Sequence, residues 1–290
     1  MILAPLRGVT IRCFRETFAE EIRAAGFTEA ITPFITANAG YDPLKDKELR
    51  DQGSGIRDQG LRVTPQFIGK DPVALRSCLE KIKAAGYDTA DLNCGCPFPM
   101  VRNKGRGSGI LRTPDVLRRM LEAGCEVMGP GKFSMKARLG VDRGDELLKL
   151  MPMINEFPLR FLTVHARTAR QMYTGVCDAG GLEEVWKVAK VPIAINGDIP
   201  FPVPCSLFPD PSRLMIGRSF VRWLGTREDS DELLGRYIAA SQVELCGDRP
   251  VLGRMKELIS YWKDLPQWKR RWNVIKLCRT VDELRSCLDV

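Results

Sequence analysis

Phe133-Ser134-Met135-Lys136-Ala137, then Asp145–Glu156, then Phe161-Leu162-Thr163-Val164: this run reads strand, helix, strand. The outer pieces are short and mainly apolar, and the middle piece is an amphipathic helical stretch. The same alternation extends in both directions. Further strands are expected at Met1–Leu3, Thr28–Thr32, Val63–Phe67, Thr89–Leu92, Pro192–Ile195 and Arg213–Ile216. Helices are expected at Ile11–Ala25, Asp71–Ala85, from Thr113 to about Ala123, and at Gly181–Ala189. Asp71-Pro72 and Thr113-Pro114 each read as an N-cap followed by proline in the first helical turn.

Eight strands separated largely by helices predict an α/β fold, a (β/α)8 TIM barrel. An open doubly wound sheet is the structural competitor. It would place a glycine-rich phosphate turn after the first strand, where this chain has Ala4-Pro5-Leu6-Arg7-Gly8. One unit is defective. Residues 199–211 hold five prolines, so the seventh helix is expected to be truncated to a turn and its flank covered by something else. After Leu224 no strand signal remains. Helices are expected at Asp229–Leu245, Gly253–Trp262, Asn273–Cys278 and Asp282–Leu288. The expected organisation is a catalytic barrel over 1–225 and a small helical domain over 226–290.

Composition narrows the function classes. The 290 residues are 44% apolar, enough for a real core and against disorder. No apolar run approaches the roughly 18–20 residues of a membrane helix, and the first residues lack a signal peptide's pattern, so the expected compartment is the cytoplasm. Ten cysteines are scattered without zinc spacing and there is one histidine, so no metal is expected. The net charge is +8. Between Arg254 and Arg279 eight basic residues stand against two acidic ones, interleaved with Tyr261, Trp262, Trp268 and Trp272. That mixture suits a phosphate backbone and exposed bases. It is equally the make-up of an amphipathic helix pair with its aromatics inside, and taken alone the segment favours this plainer origin.

In such a barrel, chemistry sits at the C-terminal strand ends. Those ends carry Pro5-Leu6-Arg7, Gln66, Asn93, Lys136 with Arg138, His165, Asn196-Gly197-Asp198 and Gly217-Arg218. Each has a plain explanation as a satisfied hydrogen bond or a surface charge. A full ring of them points to a bound polar ligand, with Gly197, Gly217 and Arg218 at the fold's usual phosphate site. Asn93-Cys94-Gly95-Cys96-Pro97 follows the fourth strand. It could be half a metal site, a strained dithiol, or a thiol serving as an acid. An ordinary thiol is roughly 97% protonated at pH 7 and so carries a proton to give. The glycine-rich basic run Val101–Gly109 is either a lid for RNA or a surface loop.

With those stretches in hand, the sequence resembles the tRNA-dihydrouridine synthase family. The resemblance rests on Leu3–Thr10, Leu92–Pro97, Gly105–Leu111, Lys136–Gly140, Val164–Thr168, Asn196–Asp198 and Met215–Arg218, in order along the barrel. It implies an FMN-binding barrel followed by a helical tRNA-binding domain. FMN contacts would fall on Pro5, Leu6, Arg7, Gln66, Lys136, His165, Asn196, Gly197, Asp198, Gly217 and Arg218. NADPH would reduce the flavin, and a D-loop uridine would be flipped into the barrel mouth. Hydride would pass from flavin N5 to uracil C6, and Cys96, not Cys94, would give the proton to C5. Asn93 would lie beside the target base, with Arg138, Arg167 and Arg170 near the uracil or RNA backbone. Lys256–Trp262 is most similar to the bacterial subgroup acting on D-loop position 16. The chain departs from the pattern at Leu6, Ser219 and the proline-rich 199–211 segment. The expected protein is monomeric. Its rivals are an FMN barrel acting on a free pyrimidine, similar to dihydroorotate dehydrogenases, and a tRNA-binding factor with a decayed flavin site.

Overall fold

Alternate residues of a barrel strand face the surrounding helices and the barrel interior, and the expected fifth strand alternates accordingly, with Phe133, Met135 and Ala137 on one face and Ser134 and Lys136 on the other. In a computed structural model, which describes residues 1–49, 57–58, 60–204, 206 and 210–288, it runs Phe133–Gly140 and is buried at seven of eight positions. The barrel strands are β1 (Ile2–Leu3), β2 (Glu29–Ile31, resumed at Ile35–Thr36), β3 (Leu61–Thr64, resumed at Gln66–Ile68), β4 (Ala90–Cys94), β5 (Phe133–Gly140), β6 (Leu162–Thr168), β7 (Ile193–Asn196) and β8 (Leu214–Ile216). Each pairs in parallel with the next, and β8 pairs with β1, which closes the ring. The third strand is longer than expected and is broken at Pro65, which has no N–H for the ladder. Its first half pairs with Glu29–Ile31 and its second with Ile35–Thr36 and β4. The backbone N–H of Gln66 turns to Thr32 Oγ1 at 3.0 Å.

The flanking helices are α1 (Arg12–Thr17), α2 (Ala19–Ala24), α3 (Pro72–Ala84), α4 (Pro99–Arg102), α5 (Pro114–Met128), α6 (Glu146–Ile154), α7 (Ala179–Val188) and α8 (Arg218–Leu224). Asp71 caps α3 by accepting from the N–H groups of Val73 and Ala74. The single helix expected at 11–25 is stepped at Phe18, whose ring wedges between Phe14 and Tyr237. Helical bonding continues through the step, from Ile22 N to Phe18 O at 2.9 Å. Between β7 and β8 the described residues hold only a 3₁₀ turn, Pro211–Arg213; Cys205, Leu207, Phe208 and Pro209 of this expected helix-poor segment lie outside the described residues. Phe201 covers that flank, with ring centroids 5.2–5.8 Å from Phe27, Phe220 and Trp223.

The C-terminal region forms α9 (Ser230–Glu244), α10 (Asp248–Ile259), α11 (Pro266–Ile275) and α12 (Val281–Arg285). Two starts differ from expectation. Pro250 is accepted in the first turn of α10, and Pro266 opens α11 seven residues before the expected Asn273. A Thr280–Glu283 capping box starts α12. The expected boundary at 225/226 falls between α8 and α9. Across it one hydrophobic cluster joins Leu3, Phe14, Phe18, Ile216 and Phe220 of the barrel to Leu234, Tyr237, Met255, Trp262, Trp268 and Leu284. Trp262 and Trp268 are fully buried, and their indole N–H groups donate to Val221 O (2.7 Å) and Gly225 O (3.0 Å). Among the described residues, no helix is long and apolar enough to cross a membrane.

Candidate active site

The strand ends converge on a cavity of about 390 Å³, a volume in the range of cofactor sites. Of the residues expected there, Pro5, Leu6, Arg7, Gln66, Asn93, Cys96, Lys136, Arg138, His165, Asn196, Gly197, Asp198, Gly217 and Arg218 line it. Arg167 lies just behind and Arg170 outside. A larger outer cavity, about 870 Å³, shares Pro5, Leu6, Arg7, Phe98, Tyr173, Arg218 and Tyr261 with the inner one and adds Met100, Lys104 and Arg106.

Cys96 owes its place to the turn after β4. Asn93 Oδ1 accepts from the N–H groups of Gly95 (3.1 Å) and Cys96 (2.9 Å), an Asx-type turn. The Cys96 carbonyl accepts from both N and Oγ of Ser108, at 3.1 and 2.9 Å. Gly107 must be glycine here: its φ is +56°, and a Cβ would come within 2.8 Å of Cys96 Cβ. Burial pushes the Cys96 thiol up, against smaller effects of the Phe98 backbone, Arg7 and Arg138. The thiol therefore stays protonated at neutral pH. Cys94 points the other way, into the hydrophobic core, and does not line the cavity.

On the adjacent strand β5 stands Lys136, whose Nζ donates to Asn196 Oδ1 at 2.9 Å; Asn196 Nδ2 in turn donates to Met215 O. Part of Lys136 remains open to the cavity, but its depth in the barrel, helped by Arg138 and opposed by Asp91, pushes the ammonium down to about 7. His165 is buried and held far below its ordinary range by desolvation and then by Lys136, Arg138, Arg167 and Arg218. It is neutral. Its Nε2 sits 3.3 Å from Arg167, which can only donate, so the ring proton belongs on Nδ1. His165 can position a ligand but brings no charge.

The arginines divide by role. Arg138 is 1% exposed and spends its donors on Gly95 O (2.9 Å), Thr168 O (2.9 Å) and Met172 O (2.6 Å). Burial lowers it only to about 10, so it stays charged. Arg167 ties Asp198 to the carbonyls of Thr174 and Gly175. Asp198 also accepts from Arg218 at 2.8 Å, and Arg167 in particular holds its carboxyl below the usual range. Arg170 is exposed and pairs with Asp142 at 2.7 Å. Sequence reading missed Tyr173, whose ring centroid is 5.3 and 5.1 Å from the Arg138 and Arg218 guanidiniums, and Phe34 of the cavity wall; it named Tyr261 in the basic, aromatic segment but not as part of this wall. An aromatic residue in the loop after a strand bearing His165 and Arg167 is the signal that could have found Tyr173.

The cavity fits the flavin that the sequence suggests. Ala4, Leu6 and Met215 supply apolar walls for a flat ring, while Gln66, Lys136 and His165 supply polar groups. Gly197, with φ +117°, packs so closely on Cys177 and His165 that a Cβ would meet both at 2.8 Å. Among the described residues, no group of three His, Cys, Asp or Glu side chains is placed to hold a metal ion.

The family model and the sequence relatives agree on the family, and the solved structures on the fold. Residues 2–205 match the family model described as dihydrouridine synthase (Dus). The chain is 27% identical over 225 residues to tRNA-dihydrouridine synthase B of Vibrio vulnificus, covering 75% of this chain and 66% of that protein. It is 28% identical over 203 residues to the enzyme of the same name from Pseudomonas aeruginosa, covering 70% and 59%. The chain thus spans 66% and 59% of the length of these two relatives, less than two thirds. A probable tRNA-dihydrouridine synthase of Helicobacter pylori is 26% identical over 307 residues, covering 100% of this chain and 90% of that protein. The fold is similar to that of an old yellow enzyme homologue from Zymomonas mobilis, with a TM-score of 0.58 at 12% identity over 77% of this chain and 85% of the other. Morphinone reductase gives 0.55 at 12% identity, covering 77% and 82%. With more than two thirds of its length matched by the family model, this chain belongs to the dihydrouridine synthase family.

Proposed function

We propose that the protein reduces a D-loop uridine of tRNA to 5,6-dihydrouridine, with FMN in the barrel mouth, NADPH as reductant and Cys96 as proton donor to C5. One observation carries the reading: among the described residues Cys96 is the one thiol lining the cavity, and it is kept protonated there, in the turn after the strand adjacent to that of Lys136. FMN, when bound, supplies the hydride for C6. Pro5, Leu6, Arg7, Gln66, Lys136, His165, Asn196, Gly197, Asp198, Gly217 and Arg218 would hold it. Lys136, in its charged form, favours negative charge on the cofactor, and neutral His165 orients it. Asn93 meets the target base. Arg138 holds the Cys96 turn through Gly95 O, Arg167 holds Asp198 and His165, and Arg170 can exchange Asp142 for a phosphate of the RNA.

The outer cavity suits the nucleotides beside the target, because the exposed Phe98 offers a ring face and Lys104 and Arg106 offer charge. The helical region, 226–290, is proposed to bind the tRNA body, with the protein acting as a cytoplasmic monomer. The test is to purify the protein, record its flavin absorbance, and follow dihydrouridine in unmodified tRNA with NADPH. Dihydrouridine in the D-loop is expected. Reduction of free uracil or uridine but not tRNA would favour the free-pyrimidine rival, and a colourless protein that takes up no FMN would sink the enzyme reading.

A further inference from the structure

Gln66, Asp91 and Ser134 stand side by side across β3, β4 and β5, in register and fully buried. Asp91 accepts from Ser134 Oγ at 2.6 Å and from Gln66 Nε2 at 2.7 Å. Gln66 Oε1 accepts from Asn93 Nδ2 at 2.7 Å, and Asn93 Oδ1 accepts from the N–H groups of Gly95 and Cys96. The chain has a direction. Backbone N–H groups can bond only the oxygen of Asn93, so its nitrogen must face Gln66. That commits the Gln66 oxygen to Asn93 and its nitrogen to Asp91, which accepts at both oxygens when ionised. Each link satisfies the next only in this orientation.

We propose that Asp91 is a positioning residue: as the terminal acceptor of this chain it fixes the orientation of Gln66 and Asn93, and through Asn93 the turn that presents Cys96. Burial raises its carboxyl to about 6, against the pull of Ser134, Gln66 and Lys136. A carboxyl kept fully buried at that cost needs a reason, and a hydrophobic residue of the same size would pack there without it. Asp91 touches neither the cavity nor any group expected to react. Its effect reaches the chemistry through two amides, each of which would otherwise have two orientations of similar shape.

The role in catalysis rests on the proposed uridine reduction, and two experiments separate the two. In the FMN-loaded protein, Asp91→Leu should leave flavin reduction by NADPH within about twofold. It should slow reoxidation of the reduced flavin by tRNA about ten- to a hundredfold, because the Cys96 turn and Asn93 lose their set orientation. Asp91→Asn should restore most of that rate. Its oxygen can take the Gln66 bond while its nitrogen faces Ser134, whose hydroxyl can turn to Ala90 O, 3.3 Å away. Equal slowing of both steps, wild-type reoxidation by the Leu variant, or an Asn variant as slow as Leu would each overturn the proposal. A melting cycle needs no tRNA and holds even if the Leu variant does not fold. Asn93→Asp alone sets Gln66 between two acceptors. Adding Asp91→Asn lets the whole chain reverse, with every atom again paired. The double variant should recover more than half of the melting temperature that Asn93→Asp loses; simply additive losses would overturn the relay. If wild-type protein fails to reduce tRNA while the cycle shows recovery, the uridine reading fails and the relay stands.

Discussion

Cys96 and Cys94 are two residues apart, yet they face different worlds. One borders the cavity and the other is packed in the core with a thiol that burial drives well above its ordinary value. Replacing Cys96 with Ala is expected to keep FMN and tRNA binding while lowering uridine reduction by about a hundredfold or more, the scale of a lost general acid. Cys94→Ala should cut the rate far less and instead lower the melting temperature, since it opens a small hole. Single-turnover rates beside binding curves for both variants check this. Lys136 gives a second prediction. Its pKa in the ligand-free fold, about 7, lies below the ordinary lysine value near 10.4, so the unfolded chain binds more protons between those limits. Stability is therefore penalised below pH 7 and recovers as pH rises toward 10. Lys136→Met should raise the melting temperature of FMN-free protein at pH 6–7 by about 2–6 °C, with the gain shrinking by pH 10. An equal gain at both pH values would count against it. Much of the site was legible at this scale, because polar residues at the ends of apolar strands have few other reasons to be there. The arginines were not. Arg138 and Arg167 look alike in sequence to Arg170, and only the carbonyls of Gly95, Thr168, Met172 and Gly175 reveal that the first two are internal braces.

Among elements, the strands were readable from their apolar runs. Their interruptions were not, since Pro65 breaks the ladder without ending the strand's direction. The helices of the C-terminal region were found but displaced: Pro266 reads as a break in sequence, whereas in the fold it starts α11. That shift matters to the aromatics. Placed on and before α11, Trp268 and Trp262 go inward, so the plainer explanation of the basic, aromatic segment holds for these two residues. The short 3₁₀ element Gly107–Arg112 is the support of the Cys96 turn. Gly107→Ala forces a side chain into a positive-φ position against Cys96, at a cost of about 1–3 kcal/mol. The expected result is FMN retained and uridine reduction reduced together with the melting temperature. Unchanged turnover would show that the turn tolerates displacement.

For the molecule as a whole, the basic segment from Arg254 to Arg279 is less uniform than its net charge implies. Arg254 pairs with Glu244, Arg271 with Asp231, and Lys256 bonds the carbonyls of Lys276 and Cys278. Lys263, Lys269 and Arg270 stay exposed. Replacing Lys269 and Arg270 with Gln should weaken tRNA binding and flatten its salt dependence, by about one in the slope of log K against log salt for each phosphate no longer neutralised. The same pair of changes at Arg254 and Arg271 should instead lower stability. Titration of tRNA at several salt concentrations, beside thermal melts, distinguishes the two groups.

One hydrophobic cluster runs from β1 and α1 through α8 into α9–α12. A part welded in this way cannot swing as a lid. If tRNA is the substrate, the distance and angle from the helical face to the cavity are fixed when the chain folds. The protein then acts as a calliper: an RNA seated on it delivers whichever uridine stands at that span. Choice of position becomes a matter of length and pose, with little reading of the bases around it.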